Sequence, residues 1–114
     1  MSVRIDGTEF ANAGKTAAIA EGTAKVVRSG AYEVAVFNLG DEFVAYENVC
    51  PHQGGPIGEG FVEGATVTCP WHAWCFDLRT GSLTLGDFAC LRRFETRVAD
   101  GRLYVATRPT ENDV

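Results

Sequence analysis

The sequence predicts an all-β domain with antiparallel strands, and two observations support this prediction. Short segments in which apolar and polar residues alternate recur along the chain, and turns rich in Gly and Asp separate them. The main helical indication is a group of Ala residues over 12–20, which predicts one brief helical turn. With 114 residues, the chain is long enough for one domain with a modest hydrophobic core.

The predicted strands follow one another through short connections. Gly30 separates the first two strands, Gly40-Asp41 forms the turn before the third, and the third alternates towards a loop that contains Cys. The dipeptide Asp100-Gly101 between the last two strands predicts a two-residue hairpin turn of type I′. The predicted strands cover residues 23–29, 32–39, 42–48, 64–69, 74–78, 82–85, 93–99 and 102–107.

Two short loops carry the residues with the clearest chemistry. The first has the pattern Cys-x-His at residues 50–52 and the second has Cys-x-x-His at residues 69–72, with sixteen residues between them. Each loop offers one thiolate and one imidazole, and together they use both histidines of the chain. Because thiolates and imidazoles are typical ligands of transition metals, we predict a metal centre with the ligands Cys50, His52, Cys69 and His72.

These loops and their surroundings resemble the Rieske iron–sulfur family, most strongly over residues 42–85. The likeness includes the Gly- and Pro-rich segments 50–60 and 69–77 and the Thr80-Gly81 turn that follows. In that family two Cys hold one iron of a [2Fe–2S] cluster and two His hold the other. The resemblance implies one such cluster per chain, with the four ligands named above.

The resemblance also implies a particular arrangement of the β domain. Members of the family have an antiparallel β sandwich or barrel as a base, with a cluster-binding subdomain at one tip. We therefore expect one Rieske domain over residues 1–114, with the cluster-binding insertion at about 43–86.

A structural zinc ion is the alternative occupant of a site with two Cys and two His. Zinc modules usually pair like ligands, with the two Cys about two to four residues apart and the two His about three to five apart. Each loop of this chain instead combines one Cys with one His, which favours the iron–sulfur cluster. A zinc-stabilised interaction module stays open as the alternative from a different class.

The other two cysteines are interpreted as free thiols outside the ligand set. Cys75 and Cys90 lie beyond the second loop, and the sequence leaves a disulfide between them open. High-potential relatives place two hydroxyl groups against the cluster sulfurs, and the resemblance assigns those positions to Trp74 and Phe76. Without these hydrogen bonds, we expect a reduction potential at the low end of the Rieske range, near roughly −150 mV.

The composition limits the classes of partner. A formal net charge of −5 and an isoelectric point near 4.9 argue against binding to nucleic acid or to an anionic membrane. No segment has the apolar length of a membrane span, and the N-terminal residues lack the apolar region of a signal peptide. We therefore expect a cytoplasmic protein.

The resemblance implies an electron-carrier ferredoxin with no catalytic site of its own. Its partners would be a flavin-dependent NAD(P)H reductase, which supplies single electrons, and a terminal non-haem iron oxygenase, which receives them. A complete oxygenase is excluded, because its iron needs two further His in addition to a carboxylate. The alternative within the family is the Rieske-like small subunit of an assimilatory nitrite reductase, and the presence of all four ligands favours the ferredoxin.

Overall fold

The computed structural model describes residues 2–5, 7–49, 56–70, 75–81 and 91–110. These residues confirm the all-β class, with antiparallel strands throughout and two short 3₁₀ helices at Thr16–Ala18 and Ile57–Glu59. Neither of these helices is long and apolar enough to cross a membrane. The strands are β1 (Ser2–Ile5), β2 (Thr8–Lys15), β3 (Ala24–Ser29), β4 (Tyr32–Asn38), β5 (Phe43–Glu47), β6 (Phe61–Glu63), β7 (Thr66–Thr68), β8 (Cys75–Asp77), β9 (Arg93–Phe94), β10 (Thr96–Ala99) and β11 (Arg102–Ala106).

The described strands form three antiparallel sheets. The basal sheet has the order β1-β2-β11-β10, the central sheet β3-β4-β5-β9, and the distal sheet β6-β7-β8. The two predicted ligand loops connect β5 to β6 and β7 to β8, so both of them adjoin the distal sheet.

The central sheet is buried on both faces. Four consecutive residues of β4, Val34–Phe37, are buried, although side chains alternate between the two faces of a strand. Val34 and Val36 pack in one core cluster with Leu103 of the basal sheet, whereas Ala35 and Phe37 pack in a second cluster with residues of the distal sheet. Strand β5 is also covered on both faces, so its residues do not alternate between buried and exposed. The alternation predicted over 42–48 is therefore absent from the burial of the side chains.

The brief helical turn predicted within 12–20 is present at Thr16–Ala18, whereas residues 12–15 belong to a strand with a β-bulge. Strand β2 continues to Lys15, and the 3₁₀ helix that follows is only three residues long. Opposite β2, Leu103 pairs with Gly14 and Tyr104 with Asn12, so Ala13 is an extra residue. The bulge lets Phe10 and Ala13 be buried together, although they are three residues apart.

Other strand predictions are confirmed or corrected by non-local pairing. The predicted strand 93–99 is divided, since β9 joins the central sheet and β10 the basal sheet. Strands β1 and β6 were not predicted, and the predicted strand 82–85 lies outside the described residues. The type I′ turn is confirmed, because Asp100 and Gly101 have φ angles of 54° and 73°.

Arg79, which follows the distal sheet, forms ion pairs with the turn between β4 and β5. Its guanidinium contacts Asp41 at 3.2 Å and Glu42 at 2.7 Å, both in the turn between β4 and β5. The hydrogen bond to Asp41 and the nearby charges raise the pKa of Arg79. All three side chains are exposed, so this network adds little to stability.

Candidate metal centre

Of the four predicted ligands, Cys69 is the one that lies within the described residues. It follows β7 directly, and its side chain lies in the core cluster between the central and distal sheets with an exposed fraction of 1%. Its thiol is not part of a disulfide. Cys50, His52 and His72 lie outside the described residues. Within the described ranges, no group of three or more His, Cys, Asp or Glu is arranged to hold a metal ion.

Cys75 and Cys69 lie on opposite sides of the distal sheet. Cys75 pairs with Thr68 across β7 and β8, so these two side chains share one face. The neighbouring pair Val67 and Phe76 points into the core, as Cys69 does. Cys75 is therefore directed away from the core, where it is half-buried and free of a disulfide, as interpreted from the sequence. The second thiol of that interpretation, Cys90, lies outside the described residues.

Asn48 closes the base of the first ligand loop. Its side-chain amide donates a hydrogen bond to Glu33 Oε1 at 2.9 Å, and its Oδ1 accepts one from the Gly58 backbone N–H at 2.6 Å. Its own backbone N–H donates to the Glu33 carbonyl at 2.9 Å. Since Asn48 and Gly58 lie on either side of residues 50–55, these bonds hold together the two ends of the loop. The sequence did not single out Asn48, because its 5% exposure is visible only in the folded protein.

The substitution Asn48→Ala is expected to loosen this base. It leaves the Gly58 N–H without its acceptor, so we expect the free energy of unfolding to fall by about 1–3 kcal/mol. It should also accelerate the loss of iron to a chelator, because the loop that carries Cys50 and His52 is no longer closed. Iron release after chelator addition and urea unfolding measure the two effects.

Asn38→Ala is the matched control for this prediction. Asn38 also makes two side-chain bonds, to the Ile19 carbonyl and from the Gly40 N–H, but it lies at the opposite end of β4. We expect its loss to lower stability while leaving the rate of iron release close to that of the wild type. Equal rates of iron release in the two variants would contradict the role assigned to Asn48.

Gly60 brings the end of the first loop against the start of the second. A Cβ atom at this position would collide with the Thr68 carbonyl oxygen and would lie 3.0 Å from the Ile57 carbonyl oxygen. Gly60 has an ordinary negative φ of −76°, so the close approach of backbone, not the backbone angle, requires glycine here. Phe61 pairs with Thr68 in the next position of the ladder. The bases of both ligand loops therefore lie side by side, which suits ligands that must share one cluster.

Tyr46 links the central sheet to the segment that follows the distal sheet. Its buried hydroxyl donates a hydrogen bond to the Leu78 carbonyl at 2.7 Å, and a Cβ atom at Gly81 would lie 2.9 Å from its ring. The Arg93 guanidinium lies 5.8 Å from the ring centroid. Burial, partly offset by the charge of Arg93, raises the pKa of Tyr46 to about 12.

This raised pKa predicts a loss of stability in alkaline solution. The unfolded chain releases the Tyr46 proton at about pH 10, whereas the folded protein retains it until about pH 12. The contribution of Tyr46 to stability is therefore complete below about pH 10 and is lost as the pH rises towards 12. In Tyr46→Phe we expect stability at neutral pH to fall by about 1 kcal/mol and this part of the alkaline decline to disappear. Urea unfolding of the wild type and Tyr46→Phe at about pH 8 and pH 11 tests this prediction. An equal fall in the free energy of unfolding of the two proteins between these pH values would contradict it.

The described residues define a small antiparallel β protein in which both loops that carry the predicted ligands adjoin the distal sheet. The family model described as the Rieske [2Fe-2S] domain matches residues 9–95, and the chain belongs to this family. It is accordingly a protein with a Rieske-type [2Fe–2S] cluster. The buried, disulfide-free thiol of Cys69 fits a ligand of such a cluster.

Relatives and solved structures extend this assignment. The chain is 36% identical over 83 residues to Ferredoxin CarAc of Metapseudomonas resinovorans, covering 72% of this chain and 78% of that protein. It is 35% identical over 78 residues to the anthranilate 1,2-dioxygenase ferredoxin subunit of Burkholderia cepacia, covering 68% and 72%. A structure of the complex of reduced oxygenase and oxidized ferredoxin in carbazole 1,9a-dioxygenase matches with a TM-score of 0.83 and 30% identity, covering 90% of this chain and 97% of that chain.

Proposed function

We propose that this protein is an electron-carrier ferredoxin whose cluster is held by Cys50 and Cys69 on one iron and by His52 and His72 on the other. When bound, the cluster accepts and donates single electrons. The buried position of Cys69 at the entry to the second loop carries this proposal, together with the family membership. The Cys69 thiol is shielded from water, and the contacts of Asn48 and Gly60 hold the two loops at a common base.

We further propose that electrons arrive from a flavin-dependent NAD(P)H reductase and leave to a terminal non-haem iron oxygenase, in the cytoplasm. Two curated relatives are ferredoxin components of dioxygenase systems, and one similar structure holds a ferredoxin with its oxygenase. These descriptions belong to the relatives, and the similarity of sequence and fold supports the same kind of partner here. The acidic composition supports protein partners rather than nucleic acid.

The small subunit of a nitrite reductase is the second candidate. A putative NADH-dependent nitrite reductase small subunit from Mycobacterium tuberculosis matches with a TM-score of 0.78 and 25% identity, covering 93% of this chain and 96% of that chain. Several curated relatives at higher identity are ferredoxin components, so we place the ferredoxin first. The zinc-stabilised module receives no support from the family match.

Electron transfer to purified oxygenases tests this function. The holo-protein, reduced chemically, is mixed with oxygenase components of the carbazole, anthranilate and 3-phenylpropionate systems to which the relatives belong. We expect the cluster absorbance to return as at least one oxygenase is reduced, with formation of the hydroxylated product. Failure with every oxygenase, combined with stimulation of a nitrite reductase large subunit, would overturn the proposal in favour of the second candidate.

A further inference from the structure

The charges of the chain are divided unevenly along the sequence. Residues 29–78 contain no Lys or Arg and seven Asp or Glu, whereas the remaining residues contain all ten Lys and Arg and eight Asp or Glu. The described part of 29–78 forms β4, β5 and the whole distal sheet. Cations lie on strands of the basal and central sheets, for example Lys15 on β2 and Lys25 on β3. Arg79, which follows β8, is paired with Asp41 and Glu42. The three strands of the distal sheet therefore carry two carboxylates, Glu63 and Asp77, and no cation, which favours approach by a basic surface.

The outer face of the distal sheet is organised in two rows across its three strands. The register places Phe61, Thr68 and Cys75 in one row and Glu63, Thr66 and Asp77 in the other. The row between them points the opposite way, and its members Val67 and Phe76 are buried in the core. We call the two outward rows the distal face: Phe61, Thr68, Cys75, Glu63, Thr66 and Asp77.

Phe61 is an exposed aromatic ring in the row nearest the second ligand loop. Its exposed fraction of 67% is the highest among the large exposed hydrophobic residues in the described ranges. It pairs with Thr68, which directly precedes Cys69. Glu63, in the second row, is also exposed. An apolar ring bordered by carboxylates, with no cation on any of the three strands, has the form of an interface centre with a charged rim.

We infer that the distal face is a docking surface for the terminal oxygenase, an inference that rests on the proposed function. The surface it fits has an apolar depression that receives the Phe61 ring and Lys or Arg side chains that face Glu63. A partner held there contacts the strand that leads into Cys69, beside one base of the cluster loops. The carboxylates of the distal face, Glu63 and Asp77, attract a basic partner during approach.

Two matched pairs of variants test the docking surface in the holo-protein. Phe61→Ser is compared with Val98→Ser, since Val98 is 56% exposed on the edge strand of the basal sheet. Glu63→Gln is compared with Asp100→Asn, because each removes one exposed carboxylate and Asn tolerates the positive φ of Asp100. The chemically reduced ferredoxin is mixed with increasing amounts of whichever of the three oxygenases the wild type reduces fastest. The dependence of cluster reoxidation on oxygenase concentration gives the apparent Kd.

Phe61→Ser should raise the apparent Kd by about tenfold, as for an apolar residue at the centre of an interface, and Val98→Ser should leave it within about twofold. Glu63→Gln should raise it by about two- to threefold at low salt, an effect that fades as salt screens the charges. Unchanged cluster spectra and reduction potentials in all four variants would show that docking, not the cluster, has changed.

The contrary outcomes separate the docking surface from the proposed function. If the wild type reduces an oxygenase but Phe61→Ser and Val98→Ser have the same apparent Kd, the assignment of the docking surface is wrong. The proposed function is then unaffected. If no oxygenase accepts electrons from the wild type and a nitrite reductase large subunit is stimulated instead, the proposed function fails and the oxygenase is excluded as the occupant. A concentration-dependent dimer in sedimentation velocity that Phe61→Ser abolishes would assign the face to a second copy and overturn the inference.

Discussion

Cys69→Ala is expected to leave the protein without its cluster, whereas Cys75→Ala should retain it. Cys69 lies in the core at the entry to the second loop, while Cys75 points to the other side of the distal sheet. A cluster with one thiolate missing is not held, so we expect the iron content of Cys69→Ala to fall below about one tenth of the wild-type value. Iron analysis and the visible spectrum of proteins purified without air measure the effect.

The pair also separates the loss of a ligand from the loss of a buried side chain. The cluster binds only the folded chain, so its loss removes stability. The melting temperature of Cys69→Ala should therefore fall further than it would from a small cavity alone. Cys75 is half-buried, and its replacement should cost less than about 1 kcal/mol. A cluster that survives in Cys69→Ala but disappears in Cys75→Ala would show that the wrong thiol had been chosen.

The parts of the fold that local chemistry determines could be predicted from the sequence. The Asp100-Gly101 turn is an example, because two adjacent positive φ angles favour these residue types wherever they occur. The spacing of Cys and His in each loop is equally local, and the ligand set that it predicts stays a prediction. Strand β2 could not be predicted, since its burial pattern depends on a bulge opposite β11, which lies some ninety residues away in the chain.

The contacts that hold the site together are also non-local. Asn48 looks like the polar end of a strand in the sequence, and only its bonds to Glu33 and Gly58 show that it closes a loop. Strand β6 of the distal sheet could not be predicted either, because its three residues are too few to show a periodic pattern. Burial on both faces of the central sheet likewise needs the third layer to be known.

Gly60→Ala is expected to damage both the stability and the cluster, because the two loop bases meet at this residue. The new methyl group would overlap the Thr68 carbonyl oxygen, which belongs to the strand that leads into Cys69. Backbone on both sides must move to accommodate it, so we expect the free energy of unfolding to fall by about 1–3 kcal/mol. The displacement should also speed the loss of iron to a chelator.

Gly64→Ala is the control that distinguishes strain at the site from strain elsewhere in the same sheet. Gly64 lies in the turn after β6 with a φ of 58°, and a Cβ atom there would meet nothing within 4 Å. Alanine at this position should cost about 1–2 kcal/mol through its left-handed backbone conformation, which is comparable with the cost expected at Gly60. The two variants should therefore differ in iron release more than in urea unfolding. If they release iron equally fast, the distal sheet as a whole supports the cluster, and the contact between Gly60 and Thr68 has no special part in holding the loops together.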